Sequence, residues 1–272
     1  MTENIPEYEE NFIVNENPNS VFQKLQSLDW AFTDEDTGFL THDIHPYPAK
    51  FIPQIPGNMI ARLSCFGDIV FDPFGGSGTT ALEAIRLGRR AISVDANPVA
   101  TLIGRVKTIK LTKNMNAELN GFHALIESNM LGELIIPEVL VQKYANFIPD
   151  IPNREKWFPD TSCGELALIR SSIAGLNSEE VKSIALLALS RIILNVSFQD
   201  SETRYKSSPK EIPAGKTLLL YIKELENIRE SINKVKPNYG SAEFITGDIR
   251  YLDNAIIAHL LLQRNKIFIL LR

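Results

Sequence analysis

The sequence predicts an α/β fold, a parallel sheet carried on strand–turn–helix units and interrupted by a large helical insertion. Three observations predict it. The apolar run Ile69-Val70-Phe71 meets a turn containing Gly75, Gly76 and Gly78, and a helix-forming stretch follows through Ala81, Leu82, Ala84 and Ile85. A second run, Arg90 to Val94, ends on Asp95, 17 residues after Gly78. The stretch 112–235 then shows helical patterning without strong strand alternation.

The elements follow in order. Residues 1–20 hold Glu3, Glu7, Glu9, Glu10 and Glu16 with no Lys or Arg, which suggests a loosely ordered arm. Residues 20–40 suit a short helix and an extended piece. The segment His42 to Pro53 is dense in proline and aromatics. Its prolines restrict it to extended and turn conformations, so it is either a packed surface loop or a loop folded over a ligand. Its two histidines and Asp43 do not make a metal site by themselves. Ile55 to Leu63 reads as a helix leading to the first strand, Asp68 to Phe71. Ser77 or Thr79 is expected to cap the next helix and Gly88 to stop it.

Helices are expected at 100–106, 116–131, 139–147, 165–175, from Ser178 through Leu194, and at 217–235. The proline-rich piece 149–159 breaks that series. Glu243 to Arg250 reads as a strand ending at Gly247-Asp248, Asn254 to Leu262 as a helix, and Lys266 to Arg272 as one more strand. The organisation expected is an arm and lead-in at 1–40, the first part of a core at 41–107, a helical insertion at 108–240, and a third core strand with the chain's last segment at 241–272.

The glycine turn and Asp95 carry the chemistry. Glycines let a backbone approach a ligand closely, and the N–H groups opening a helix suit an anion. A carboxylate ending the second strand can accept from both ribose hydroxyls. No Lys follows Gly78, so a phosphate-gripping Gly-Lys-Ser/Thr is missing from this turn. Asp72 would repel a pyrophosphate and attract an ammonium. These features favour S-adenosylmethionine (SAM) over a nucleotide polyphosphate, with Tyr47 or Phe51 against its adenine or methionine chain.

Composition narrows the rest. The 272 residues carry a net charge of −5, so any nucleic-acid contact needs a local patch. Between 201 and 223, Arg204, Lys206, Lys210, Lys216 and Lys223 face Glu202 and Glu211, a local net of +3. Arg204, Lys206 and Lys210 are candidate phosphate contacts and Tyr205 a candidate stacking ring. A solvated loop between helices is the bland reading of the same stretch. Two cysteines, Cys65 and Cys163, fit neither a disulfide framework nor a metal site and suit a reducing, cytoplasmic setting. No apolar run reaches the roughly 18 residues of a membrane span.

Asp72-Pro-Phe-Gly-Gly-Ser-Gly-Thr-Thr80 closely resembles the cofactor motif of DNA amino-methyltransferases, the cytosine-N4/adenine-N6 type. His45-Pro-Tyr-Pro-Ala-Lys-Phe-Ile-Pro53, Ser197 to Tyr205 and Gly247-Asp-Ile-Arg250 resemble further features of one branch. The resemblance runs from about residue 41 to 253. It implies a Rossmann-like SAM-dependent methyltransferase fold, double-stranded DNA as partner and a restriction–modification setting. It assigns Phe74, Gly76 and Gly78 to the methionine end, Asp95 to the ribose and Asp248 to the adenine; Asp72, Thr79 and Tyr47 complete the candidate cofactor-binding set.

One departure accompanies these matches. The family's Ser/Asp/Asn-Pro-Pro-aromatic tetrapeptide occurs nowhere in the 272 residues. That loop stacks on the flipped base and aligns its amine with the methyl group. The chain is therefore expected to carry a cofactor-binding half with no catalytic residue of its own and to be inactive alone. A truncated product, half of a split enzyme completed by a second polypeptide, or a non-catalytic DNA-binding accessory with a vestigial cofactor fold would each account for this. A nicotinamide-dinucleotide enzyme is a weaker fit.

Overall fold

A computed structural model describes residues 5–8, 18–48, 50–131, 136–201, 204–251 and 267–269. The chain divides into two compact units, residues 1–110 with 231–272, and residues 111–230.

The first unit is organised on a four-stranded parallel sheet of β1 (Ile69–Asp72), β2 (Arg90–Asp95), β3 (Ala242–Thr246) and β4 (Ile267–Ile269), in the order β3-β2-β1-β4. Ile69 lies opposite Arg90 on β2 and opposite Ile267 on β4, and Asp95 lies opposite Thr246 on β3. Ile69, Val70, Ile92 and Val94 are buried, the pattern of parallel strands covered on both faces. α1 (Pro18–Gln26) and α2 (Gln54–Leu63) precede β1, α3 (Thr79–Arg86) joins β1 to β2, and α4 (Pro98–Lys107) follows β2. The Asn97 side chain caps α4 by accepting from Val99 N at 2.9 Å, with Pro98 at the first helical position. Ile60, Leu82 and Ile85 are fully buried in the cluster that also takes Phe39 and Leu40. This small parallel sheet with its helices is compatible with an α/β methyltransferase fold.

Three expectations change here. Gly78, in a left-handed conformation (φ 78°), occupies the N-cap of α3 without a side-chain cap bond, and Thr79 is the first helical residue. A Cβ at Gly78 would stand 2.8 Å from Gly104 Cα on α4, so close approach of α3 and α4 selects glycine over Ser or Thr. The first strand is shifted by one residue and includes Asp72. Residues 5–8 are packed rather than loosely ordered. Pro6 O accepts from Arg86 Nη1 at 3.0 Å, and the Arg86 guanidinium lies 4.7 Å from the Tyr8 ring centre. A Cβ on Gly57 would fall 2.2 Å from that ring. The acidic composition of the arm concealed the contribution of Ile5, Pro6 and Tyr8.

The second unit is helical: α5 (Lys113–Leu131), α6 (Pro137–Lys143), α7 (Arg154–Trp157), α8 (Asp160–Ala174), α9 (Glu179–Ile192) and α10 (Lys216–Ile232), whose last two residues belong to the first unit. Ser178 caps α9, its hydroxyl accepting from Val181 N at 3.2 Å. Val181, Ile184, Leu187 and Ile192 are buried, as the apolar run on α9 requires. Tyr221 OH donates to Ala185 O at 3.1 Å, and its ring meets Phe122 edge-on at 6.2 Å. Glu165 of α8 caps α10, accepting from the backbone N–H of Gly215, Thr217 and Leu218 at 2.6–3.2 Å. Burial pushes the Glu165 carboxyl up, although those backbone donors oppose the shift. The proline-rich piece 149–159 does break the helical series but includes the short α7. The helix expected at 254–262 lies outside the described residues. Of the strand expected at 266–272, residues 267–269 form β4.

Candidate functional site

The parallel register brings the C-terminal ends of β1, β2 and β3 to one edge of the sheet, where open α/β sheets hold ligands. Asp72 ends β1, Asp95 ends β2, and Gly247-Asp248 follow β3. Gly75 N donates to Val94 O at 2.8 Å and Gly76 N to Asp95 Oδ2 at 2.9 Å, so the turn is tied to the end of β2. Gly247 N donates to Asp95 O at 3.0 Å, which brings the segment after β3 to the same residue. Asp95 Oδ1 accepts from Asn97 N at 2.8 Å. An ionised carboxylate has about four acceptor positions, so Asp95 keeps capacity for two more donors, the number a ribose diol supplies.

The other candidates take distinct places. Asp72 is buried, and its Oδ1 accepts from Phe74 N at 3.1 Å, while the Phe74 ring is half exposed. Gly76 is left-handed (φ 52°). Thr79 is buried at the start of α3, where the first-turn N–H groups lack intrahelical acceptors. Asp248 is forked by Arg250, whose Nε lies 3.0 Å from each carboxylate oxygen. Those hydrogen bonds bring the Asp248 carboxyl down to about 2. Any further donor therefore reaches Asp248 only with Arg250 sharing it or moving aside. Tyr47 is half-buried among the prolines.

An open cleft is lined by Thr37, His42, Asp43, Lys50, Phe51 and Thr79 among others. It joins the segment before β1 to the N-terminus of α3. Phe51, rather than Tyr47, lines it. His42 Nε2 lies 3.0 Å from Glu83 Oε1, whereas His45 Nδ1 is 2.6 Å from Pro46 O, so the two histidines serve separate partners.

Beneath the cleft lies a buried polar network that spacing alone did not disclose. Glu83 is fully buried on α3 and accepts from Arg86, with Nη2 to Oε2 at 2.7 Å. Burial by itself would raise the Glu83 carboxyl. The hydrogen bond from His42 and the Arg86 charge outweigh it and hold the group below the usual range. Burial lowers His42, so its ring is neutral at neutral pH. With Nε2–H given to Glu83, Nδ1 is an acceptor, and it has no hydrogen-bond partner among the described residues. Lys107 ends α4 fully buried. Burial first, then the Lys50 charge, bring its ammonium down to about 7, against the pull of Asp43. A Glu inside the otherwise apolar Ala81–Ile85 run was the available signal for this network.

In the second unit, the stretch before α10 folds back on itself through an antiparallel bridge between Gln199 and Ser207. Arg204, Tyr205 and Lys206 are exposed there, and Arg204 Nη1 lies 3.8 Å from Asp200 Oδ2. Lys210 instead turns its Nζ to Leu194 O at 3.1 Å, which ties the candidate phosphate contact to its own loop. Tyr205 has a neighbour that the sequence reading did not single out, Trp157 on α7, at 4.7 Å between ring centres.

Residues 6–103 match the family model of the N6/N4 DNA methylases, described as DNA methylase. The chain is 41% identical over 88 residues to the Type II methyltransferase M.MjaII of Methanocaldococcus jannaschii, covering 30% of this chain and 17% of that protein. It is 26% identical over 187 residues to the Type II methyltransferase M.MvaI of Kocuria varians, covering 67% and 40%. Against M2.DpnII, a Type II methyltransferase of Streptococcus pneumoniae, it is 40% identical over 73 residues, covering 25% and 27%. The chain thus spans less than half the length of these relatives. No solved structure matches it. The likeness to the N6/N4 DNA methylases is carried by residues 6–103, which contain the glycine turn, Asp95 and the buried network around Glu83.

Proposed function

We propose that this chain binds SAM at the C-terminal ends of β1, β2 and β3 and serves methyl transfer to an exocyclic base amine, cytosine N4 or adenine N6, in double-stranded DNA. The observation that carries the reading is the joint between Gly76 N and the Asp95 carboxylate at 2.9 Å, set beside the opening of α3. It leaves Asp95 with acceptor capacity for a diol, and the first-turn N–H groups of α3 with capacity for a carboxylate. Lys50, in the cleft with Thr79, is a cation for that carboxylate that it would share with Asp43, whose Oδ1 lies 3.3 Å from Nζ. Buried Asp72 attracts an ammonium. The donor set thus suits a ribose, an amino group and a carboxylate, which SAM combines.

When bound, SAM supplies an activated methyl group on a sulfonium. The residues of this chain orient it. Asp95 would hold the sugar, Asp248 would accept from the adenine amine once shared with Arg250, and the Phe74 ring would take the methionine end. His42, Glu83 and Arg86 hold the segment before β1 against α3, so the cleft wall is in place before a ligand arrives. Arg204, Tyr205 and Lys206 face DNA. No group among the 272 residues matches the Pro-Pro-aromatic that would seat a flipped base. Accordingly the purified chain binds cofactor without methylating DNA by itself, and groups from outside these residues complete the transfer site.

Titration calorimetry with SAM tests the cofactor reading. Asp95→Ala is expected to weaken binding by on the order of 10–100-fold, equivalent to losing one or two charge-assisted hydrogen bonds. Folded protein that takes up no SAM, or an Asp95→Ala variant of unchanged affinity, would reject it. Base methylation by the chain alone would reject the missing-group reading and leave the binding site intact.

A further inference from the structure

The exposed tip of the second unit contains more than a basic strip. Tyr205 is 89% exposed, yet its ring is not isolated. It leans on Trp157 at 4.7 Å between centres and 46° between planes. Lys156 Nζ sits 5.4 Å from the Trp157 ring centre, and Arg204 and Lys206 flank Tyr205 in the chain. The segment is held in shape by its backbone. Phe198 N donates to Trp157 O at 2.7 Å, Asp200 N to Lys206 O at 2.9 Å, and Ser208 N to Phe198 O at 2.6 Å. Ser207 Oγ donates to Lys156 O at 2.6 Å. Residues 156–157, 198–200 and 206–208 are thereby locked together, and their product is a presented aromatic face.

We propose that Trp157 and Tyr205 form a stacking platform for an unpaired base of a DNA strand, with Lys156, Arg204 and Lys206 taking the adjacent phosphates. The inference rests on the reading above that the chain works on DNA, and extends it from backbone attraction to contact with a base. A tyrosine this exposed removes little apolar area from water, so its orientation is poorly explained by stability. Phosphate binding calls for cations and backbone donors, not for paired rings. Rings beside cations are the combination that holds single strands, where each base offers a π-face and each phosphate a charge. The backbone bonds around the tip reduce the ordering cost of binding.

The experiment uses the full chain carrying Trp30→Phe, which leaves Trp157 as the sole tryptophan of the two in the sequence. The probes are a 12-nucleotide single-stranded DNA, an abasic oligonucleotide of equal length, and a duplex. The single strand is expected to quench Trp157 fluorescence and to bind on the order of ten-fold tighter than the abasic strand. Tyr205→Ala should abolish that preference without changing the melting temperature, and Tyr205→Phe should keep it. Lys206→Gln should weaken both strands alike. Equal binding of normal and abasic strands, or a preference that survives Tyr205→Ala, would overturn the platform while duplex binding preserved the DNA reading. Folded protein that binds none of the three probes would overturn both.

Discussion

The cofactor candidates of the first unit and the DNA candidates of the second differ in how much of the fold they carry. Asp72 and Thr79 are buried, as are Glu83 and His42 of the adjoining network, and Asp72, Glu83 and His42 bond to the turn, to α3 or to one another. Arg204, Tyr205 and Lys206 lie on the surface, and their side chains bury little. Each unit has a buried glutamate with a structural role, Glu83 for Arg86 and His42, and Glu165 for the start of α10. In the first unit His42, a partner of that carboxylate, also lines the open cleft. A substitution there changes binding and stability together, whereas one at the exposed tip can change binding alone. Useful tests are those that make this coupling fail.

The largest effect is expected at Glu83. Replacing it by Ala leaves the Arg86 guanidinium and His42 Nε2 without their acceptor in a closed interior. Removing one partner of such a buried pair costs about 3–5 kcal/mol. Urea unfolding followed by circular dichroism measures it, and SAM affinity should fall in the same variant because the cleft wall is anchored there. A loss of SAM binding with unchanged stability would break the coupling inferred for the first unit.

Lys107 comes next, with a pH signature. Its ammonium, at about 7 in the folded chain, lies below the 10.5 of an ordinary lysine. Between those values the unfolded chain holds a proton that the folded chain has released, so stability rises with pH. Below about 7 both states are charged and the full burial cost remains. Lys107→Met should therefore be more stable than wild type by a few kcal/mol at pH 6, and the advantage should shrink toward pH 9. Lys50, Asp43 and His42 surround this group electrostatically and are kept constant by comparing the two proteins at each pH. Parallel stability curves for both would show that Lys107 is solvated in the fold.

The sequence made the β1–turn–α3–β2 unit legible because every requirement there is local. An apolar strand, small residues at the bend and an acid at the next strand end all fall within 69–95. The helices of the second unit were legible through their periodicity, and Ser178 through its acidic first turn. What escaped were contacts between distant positions. Tyr8 on Arg86, His42 on Glu83, Glu165 on α10 and Trp157 on Tyr205 join residues that no spacing rule connects. The N-cap of α3 was misread for a related reason. The hydroxyls on either side suggested a side-chain cap, but the approach of Gly104 on α4 decides for Gly78.

The smallest effect separates the two units most cleanly. Lys206 is exposed, and its only described bond uses the backbone carbonyl, which accepts from Asp200 N. Lys206→Gln keeps that bond and should change stability by less than about 0.5 kcal/mol. If the side chain meets a phosphate, log affinity for duplex DNA plotted against log salt should lose about 0.9 of its slope, one released counterion. SAM affinity should not move. A slope that stays the same would remove Lys206 from the DNA surface. A change in SAM affinity would show that the exposed tip is coupled to the cofactor cleft after all, which burial and hydrogen bonding within each unit give no reason to expect.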